Sequence, residues 1–285
     1  MAERSTARLS AGTQSAPDGL SGPSVGHAAD AASTVVVPLA RALTLISAFG
    51  PRERWLGNGQ LASRTGLPPS TVTRIAQTLV RLGYLRHDGG ERKYRLSPSV
   101  LGLGYAAIAH PALQGRAAGH MERFVLRHGA HLCLAVRDRL DLVVLECRRS
   151  PESPVTLPLH VGMRVGMARS PMGWALLGAL PELERAYLLE HVERRAARDW
   201  SRLRRRVYEG IAQVCDRGYC TAIGEWEADL GVMAAPVLLE GTSPFVLACI
   251  GASRGMTRAR VERELGPGLL AVGAALQGEF NLIDP

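Results

Sequence analysis

Between Leu67 and Leu85 the chain reads LPPSTVTRIAQTLVRLGYL, with Val72, Ile75, Ala76 and Leu79 at i, i+3, i+4 and i+7. That spacing lines four apolar side chains along one stripe of an α-helix. Pro68 and Pro69 suit its first turn, where a backbone N–H has no intrahelical partner to lose. Upstream, residues 37–48 predict a first helix with Leu39, Ala42, Leu43 and Ile46 on one face. Residues 60–65 predict a short helix with Leu61 and Ala62 inward, which Gly66 is free to terminate. Downstream, residues 84–86 and 93–96 are strand-like and flank the turn sequence DGGE, the pattern of a hairpin. A short helix, a tight turn, a longer helix and a hairpin together predict a winged helix-turn-helix.

From residue 98 to 128 the pattern is mostly helical and would join two halves of the molecule. HLCLAVRDRLDLVVLECRR then predicts two strands about a polar turn, and PVTLPLHV a third strand. PMGWALLGAL, LERAYLLEHV and RLRRRVYEGIAQVCDRGY predict helices, GVMAAPVLLE and SPFVLACIGAS buried strands, and the end of the chain a closing helix capped by Thr257. Helices packed against an antiparallel sheet make this half an α+β domain. Gly102-x-Gly104-x-x-Ala107 imitates a dinucleotide fingerprint, but no strand precedes it in a βαβ unit, so it carries no such reading.

The length of 285 residues suits two domains, and 46% hydrophobic residues supply material for their cores. The expected division is a tail over 1–34, a winged helix-turn-helix over 35–97, linker helices over 98–128 and a second domain over 129–285. The tail is rich in Ser, Gly, Ala and Pro without periodicity, which predicts disorder. It lacks the order of a signal peptide, and no apolar run reaches membrane-spanning length, so a cytoplasmic protein with no membrane partner is expected. Five scattered cysteines make no disulfide framework and read mostly as buried thiols.

Charge changes the picture once it is located. Residues 35–97 hold ten Arg or Lys against three acids, a net +7 out of +8 for the whole chain. The predicted helix over the opening stretch offers Ser70, Thr71, Thr73, Arg74, Gln77 and Arg81 on its polar side, without a carboxylate. The hairpin adds Arg92, Lys93 and Arg95. An ordinary solvated face mixes both signs. Guanidiniums, an amide and hydroxyls are the groups that contact phosphates and base edges, so these nine residues are the candidate contacts to double-stranded DNA.

LARALTLISAF, LASRTGLPPSTVTRIAQTLVRLGYL and KYRLSPSVLGLG resemble the DNA-binding domain of the IclR family of bacterial transcription regulators. LPLHVGMRVGMARSPMGWALLGALP, DRGYCTAIGEWEADLGVMAAPV and TRARVERELGPGLLAVGAAL resemble that family's GAF-like effector-binding domain. The resemblance covers most of residues 37–280 and implies operator binding by a homodimer or homotetramer, with no cofactor and no catalytic residue. It also implies a small-molecule pocket, whose candidate residues here are Met163, Ala168, Arg169, Ser170, Trp174, Cys220, Glu225, Trp226, Val232 and Cys249. Ala222, Val232, Ile250 and Ala252 are apolar where family members can carry polar groups. That departure points away from a small keto acid and toward a larger, aromatic or carboxylic, effector.

Three other chemistries have partial signatures in the sequence. Gly251-Ala252-Ser253-Arg254-Gly255 has the G-x-S-x-G form of a hydrolase nucleophile elbow. An elbow runs straight into a helix and needs a later histidine, whereas helix signals resume at Thr257 and the last histidine is His191. His128, His131 and Cys133 cluster, and Cys215 and Cys220 are five apart, but neither set has zinc-ligand spacing, so no metal is expected. Glu225, Glu227 and Asp229 read as a solvated strand edge or a pocket rim rather than paired catalytic acids.

Overall fold

The computed structural model describes residues 35–50, 55–108, 116–157, 159–239 and 243–280; the expected tail over 1–34 lies outside them. Helix α1 (Val37–Ser47) carries Pro38 in its first turn. Its inward face differs from the expected one. Leu45 is fully buried and Ile46 packs partly on the same core, whereas Leu39 and Leu43 are 59% and 54% exposed. The stretch is apolar on several sides, so its neighbours rather than its periodicity choose the buried face.

Helix α2 (Asn58–Thr65) begins two residues earlier than expected, because the Gln60 side chain accepts from the Gly57 N–H at 2.9 Å and caps the first turn. Gly66 ends it at φ 67°, a left-handed conformation that glycine adopts without strain. Helix α3 (Pro69–Arg81) buries Val72, Ala76 and Leu79. Strands β1 (Leu56–Gly57), β2 (Leu85–Asp88) and β3 (Lys93–Leu96) form a small sheet in the order β1-β3-β2. The two-residue β1 is too short to show a period in the sequence. At the wing's tip the Asp88 carboxylate accepts from the Gly90 and Glu91 N–H groups at 2.9 and 3.1 Å. Leu45, Leu56, Leu61, Val72, Ala76, Leu79, Leu85 and Tyr94 form one core beneath these elements.

Helices α4 (Ser99–Ile108) and α5 (Arg116–His128) lead to a six-stranded sheet. It comprises β4 (His131–Asp138), β5 (Asp141–Arg148), β6 (Arg164–Gly166), β7 (Cys220–Ile223), β8 (Leu230–Val237) and β9 (Phe245–Ala252). The order is β6-β5-β4-β9-β8-β7, and every neighbouring pair is antiparallel. One face, with Cys133, Ala135, Val232, Ala234, Ala248 and Ile250, shares a core with α6 (Pro171–Ala179), α7 (Glu182–Arg195) and α8 (Trp200–Arg217). The other, with Leu132, Leu134, Met233, Ala235, Leu247 and Cys249, shares a core with α5 and the closing helix α9 (Gly266–Phe280). Cover on both faces explains why β8 and β9 are nearly continuous apolar runs.

The third strand expected at PVTLPLHV is absent: the described residues of that stretch form no strand, and β6 is the strand that pairs with β5. Leu157 and Leu159 are buried, which accounts for the apolar alternation. Pro154 and Pro158 have no N–H to give a ladder. Arg149 holds the segment instead, donating to the carbonyls of Leu157 and Leu159 at 3.1 and 2.9 Å.

Thr257 caps the closing helical segment as expected, its hydroxyl accepting from the Arg260 N–H at 3.3 Å. A π-turn over Val261–Leu265 precedes Pro267, whose ring would clash with the carbonyl four residues back in a regular α-helix.

Candidate nucleic-acid interface and effector face

With one stripe of α3 packed inward, Ser70, Arg74, Gln77 and Arg81 stand exposed, and Thr71 and Thr73 partly so. None of the helix's 13 residues is acidic. The Thr73 hydroxyl donates to the Pro69 carbonyl at 3.0 Å, and the same carbonyl accepts from the Asn58 amide at 3.1 Å. That shared acceptor ties the start of α2 to the start of α3 and fixes the turn between them.

The wing presents its three basic residues in three different ways. Arg92 is exposed in the turn, Lys93 is ion-paired with Glu91 at 2.8 Å, and the Arg95 guanidinium stacks 4.9 Å from the Trp55 ring centroid. Between α3 and the wing lies a groove of about 300 Å³ bounded by Gln77, Val80, Arg81, His87 and Tyr94. Gln77 and Arg81 thus share a concavity with the wing. His87, its ring 4.8 Å from that of Tyr94, was not anticipated, since a single histidine on a four-residue strand carries no sequence signal.

On the α6–α8 face of the second sheet, Ala168, Trp174, Cys220 and Val232 are buried in one core, with Met163 and Trp226 packed against it. Ser170 is buried and caps α6: its hydroxyl accepts from the Gly173 N–H and donates to the Gly166 carbonyl, both at 3.2 Å. The Trp174 indole N–H donates to the Ala168 carbonyl at 2.9 Å, and the Cys220 thiol to the Pro171 carbonyl at 3.2 Å. Arg169 is exposed and pairs with Asp199. Cys249 stands apart from the rest, because its side chain belongs to the core on the opposite face of the sheet.

Arg206, which sequence reasoning missed, borders this face. It reaches from α8 so that its guanidinium lies 5.6 Å from the Trp174 ring centroid, and it pairs with Glu209 and Glu225. Burial works against its charge, but the two carboxylates outweigh burial and raise its pKa above the usual guanidinium value. Its Nε is buried and makes no hydrogen bond. In the sequence Arg206 is one of a run, RLRRR, and nothing local says which arginine turns inward. The Trp174 ring is closed in and the Arg206 charge is already shared by two carboxylates, so an aromatic anion would reach this cation by displacing one of them.

A model of the IclR helix-turn-helix domain matches residues 38–89. The HTH-type transcriptional regulator TsaQ1/TsaQ2 of Comamonas testosteroni is 31% identical, over 88% of this chain and 91% of that protein. The chain belongs to the IclR family of transcription regulators. The Pca regulon regulatory protein of Pseudomonas putida is 32% identical over 84% of this chain and 82% of its own. Among solved structures, an IclR family transcriptional regulator from Brucella abortus superposes with a TM-score of 0.73 at 34% identity, covering 86% of this chain and 93% of that one. An IclR homolog from Microbacterium hydrocarbonoxydans, complexed with 4-hydroxybenzoate, superposes with a TM-score of 0.65 at 25% identity, covering 86% and 99%.

In this IclR-family chain the hydrolase-like string does not build a nucleophile. The strand β9 ends in a 3-10 turn at Ser253–Gly255, not in a helix, and the Ser253 hydroxyl donates to the Ala228 carbonyl at 3.0 Å. His131 is buried with both ring nitrogens used, one 2.8 Å from the Val155 carbonyl and one accepting from the Ser150 N–H at 3.0 Å. It is a satisfied core histidine. Glu225 is engaged by Arg206 and so forms part of the rim of the Trp174 face. Among the described residues no helix is long and apolar enough to cross a membrane.

Proposed function

We propose that the protein is a ligand-responsive regulator that binds an operator as a dimer. The division into a DNA-binding part over 35–97 and an effector-binding part over 129–285 belongs to this reading. The observation that carries it is the face of α3: Ser70, Arg74, Gln77 and Arg81 exposed, no acid on the helix, and a basic wing beside it. Arg and Gln make bidentate contacts with base edges in the major groove, and hydroxyls bond phosphates or bases. The apolar side chains left exposed on α1 and α4, among them Leu39, Leu43, Leu101 and Leu103, support self-association, which would cover them.

The effector is an aromatic carboxylate. Trp174 and Arg206 supply the two chemistries it needs, and a structural relative carries 4-hydroxybenzoate. In this arrangement the ring packs at Trp174 and Trp226 while the carboxylate takes Arg206. Such a ligand changes DNA affinity only by as much as its affinity differs between the DNA-competent and DNA-incompetent arrangements.

The test is a titration of 4-hydroxybenzoate, followed by tryptophan fluorescence, with and without a duplex obtained by binding-site enrichment. The expected result is a ligand affinity that differs between the two titrations by the same factor by which the ligand alters DNA affinity. Equal affinities would separate the ligand site from DNA binding and sink the sensor reading. Arg206→Leu should weaken the benzoate while leaving affinity for the duplex alone unchanged.

A further inference from the structure

The five cysteines are not equivalent. Cys220 and Cys249 are buried, and burial pushes both thiols up to about 12, which keeps them protonated and inert. Cys215 is exposed on α8 and makes a long 4.0 Å contact with the Gly178 carbonyl. Cys133 on β4 and Cys147 on β5 are different, because they face each other directly across the antiparallel pair, with sulfurs 2.8 Å apart. Directly opposed residues in such a ladder have Cα atoms about 4.5–5.5 Å apart, inside the span of about 4.4–6.8 Å that a disulfide bridges. The register and the sulfur separation therefore suit a disulfide between the two thiols.

Their surroundings also divide the labour. Cys147 is only partly buried and Cys133 is fully buried, so an oxidant meets Cys147 first. The hydrogen bond from Cys133 draws the Cys147 thiol below its usual range, helped by the Arg149 charge and opposed by burial and Glu146. The same hydrogen bond, with burial, raises Cys133 well above its own. One sulfur is thus prepared to attack and its neighbour to resolve.

We propose that Cys133 and Cys147 form a peroxide-reactive dithiol, a modification site in which a hydroperoxide converts the cross-strand pair to a disulfide. The Cys147 thiolate attacks one oxygen of hydrogen peroxide, forming an S–O bond as the O–O bond breaks; the departing hydroxide takes a proton and leaves as water. Cys147 is then a sulfenic acid. The Cys133 sulfur attacks the Cys147 sulfur, the S–S bond forms as the S–O bond breaks, and the expelled hydroxide takes the Cys133 proton. Two thiols are oxidised, and one peroxide is reduced to two waters. A disulfide of this kind in a regulator is reversible, restored by a dithiol reductant. Cys133 lies in the core that also holds Trp174 and Cys147 packs against that core, and the pair needs no effector to react.

The experiment treats the reduced full-length protein with hydrogen peroxide, blocks remaining thiols with N-ethylmaleimide, and reads intact mass and peptide maps. The wild type should lose two hydrogens, yield a linked Cys133–Cys147 peptide and recover both thiols with dithiothreitol, while Cys220 and Cys249 stay reduced. Cys133→Ser should stop at a sulfenic acid on Cys147 that dimedone traps. Cys147→Ser should slow the oxidation of Cys133 by about tenfold or more. Absence of the linked peptide from wild-type protein while Cys215 becomes oxidised would overturn the proposal, as would wild-type rates of Cys133 loss in Cys147→Ser. The wild-type measurement decides the matter even if a variant fails to fold.

Discussion

Arg74 stands exposed in the middle of α3, whereas Arg95 lies against Trp55 on the return strand of the wing. The same charge in these two settings should do different work. Arg74→Ala is expected to weaken specific DNA binding by about 1–3 kcal/mol and to relax preference at one base position, because a bidentate base contact disappears. Arg95→Ala should weaken all duplexes alike and reduce the slope of log affinity against log salt by about one, as loss of one phosphate contact does. Competition binding against single-base operator variants, at two salt concentrations, separates the two. An Arg74→Ala footprint with unchanged sequence preference would remove α3 from the groove. At this scale the polar face of α3 was legible, because it follows from counting residues around a helix. Arg206 was not, because its value comes from Trp174, 32 positions earlier in the chain, and Glu225, 19 positions later.

Helices α6 and α8 meet where their sequences are smallest. A methyl group on Gly210 would lie 2.7 Å from the Trp174 Cβ, and one on Gly178 2.7 Å from the Val214 Cβ. On an open helix surface Gly→Ala gains about 1 kcal/mol from propensity alone. In this crossing the added carbon must push the helices apart, so Gly210→Ala is expected to destabilise by about 1–3 kcal/mol. Urea denaturation gives the sign, and a stabilised variant would mean the helices do not approach this closely. The helices themselves were readable from periodicity and caps. PVTLPLHV has the pattern of a strand without being one, because alternation records which side chains are buried, and a loop anchored by Leu157 and Leu159 alternates as well as a strand does.

At the level of the whole molecule, the excess charge is concentrated in one segment, which also carries some of the exposed apolar side chains. Residues 35–97 carry a net +7, and the exposed Leu39 and Leu43 of α1 belong to that segment. A single recognition helix reads only a few base pairs, so a dimer over paired half-sites, about 34 Å or a multiple of it apart, is the expected species. Analytical ultracentrifugation should show two or more chains per particle, and insertion of about five base pairs between half-sites should sharply weaken binding by turning one half-site to the opposite side of the duplex. A monomer indifferent to spacing would contradict the assembly.

By itself the sequence determined what depends on neighbours within a few residues: the helix-turn-helix with its Gly66 stop, the hairpin wing, the acid-free polar face of α3, the buried β8 and β9, and the Thr257 cap. These follow from backbone conformation and side-chain period, which act over one or two turns of chain. Only the tertiary structure decided which side of α1 turns inward, where β1 and β6 pair, that Cys249 lies across the sheet from Trp174, that Arg206 stacks on Trp174, and that Cys133 meets Cys147. Each of those depends on residues distant in sequence, and their meeting is set by how the sheet and helices pack, a quantity that no local pattern encodes.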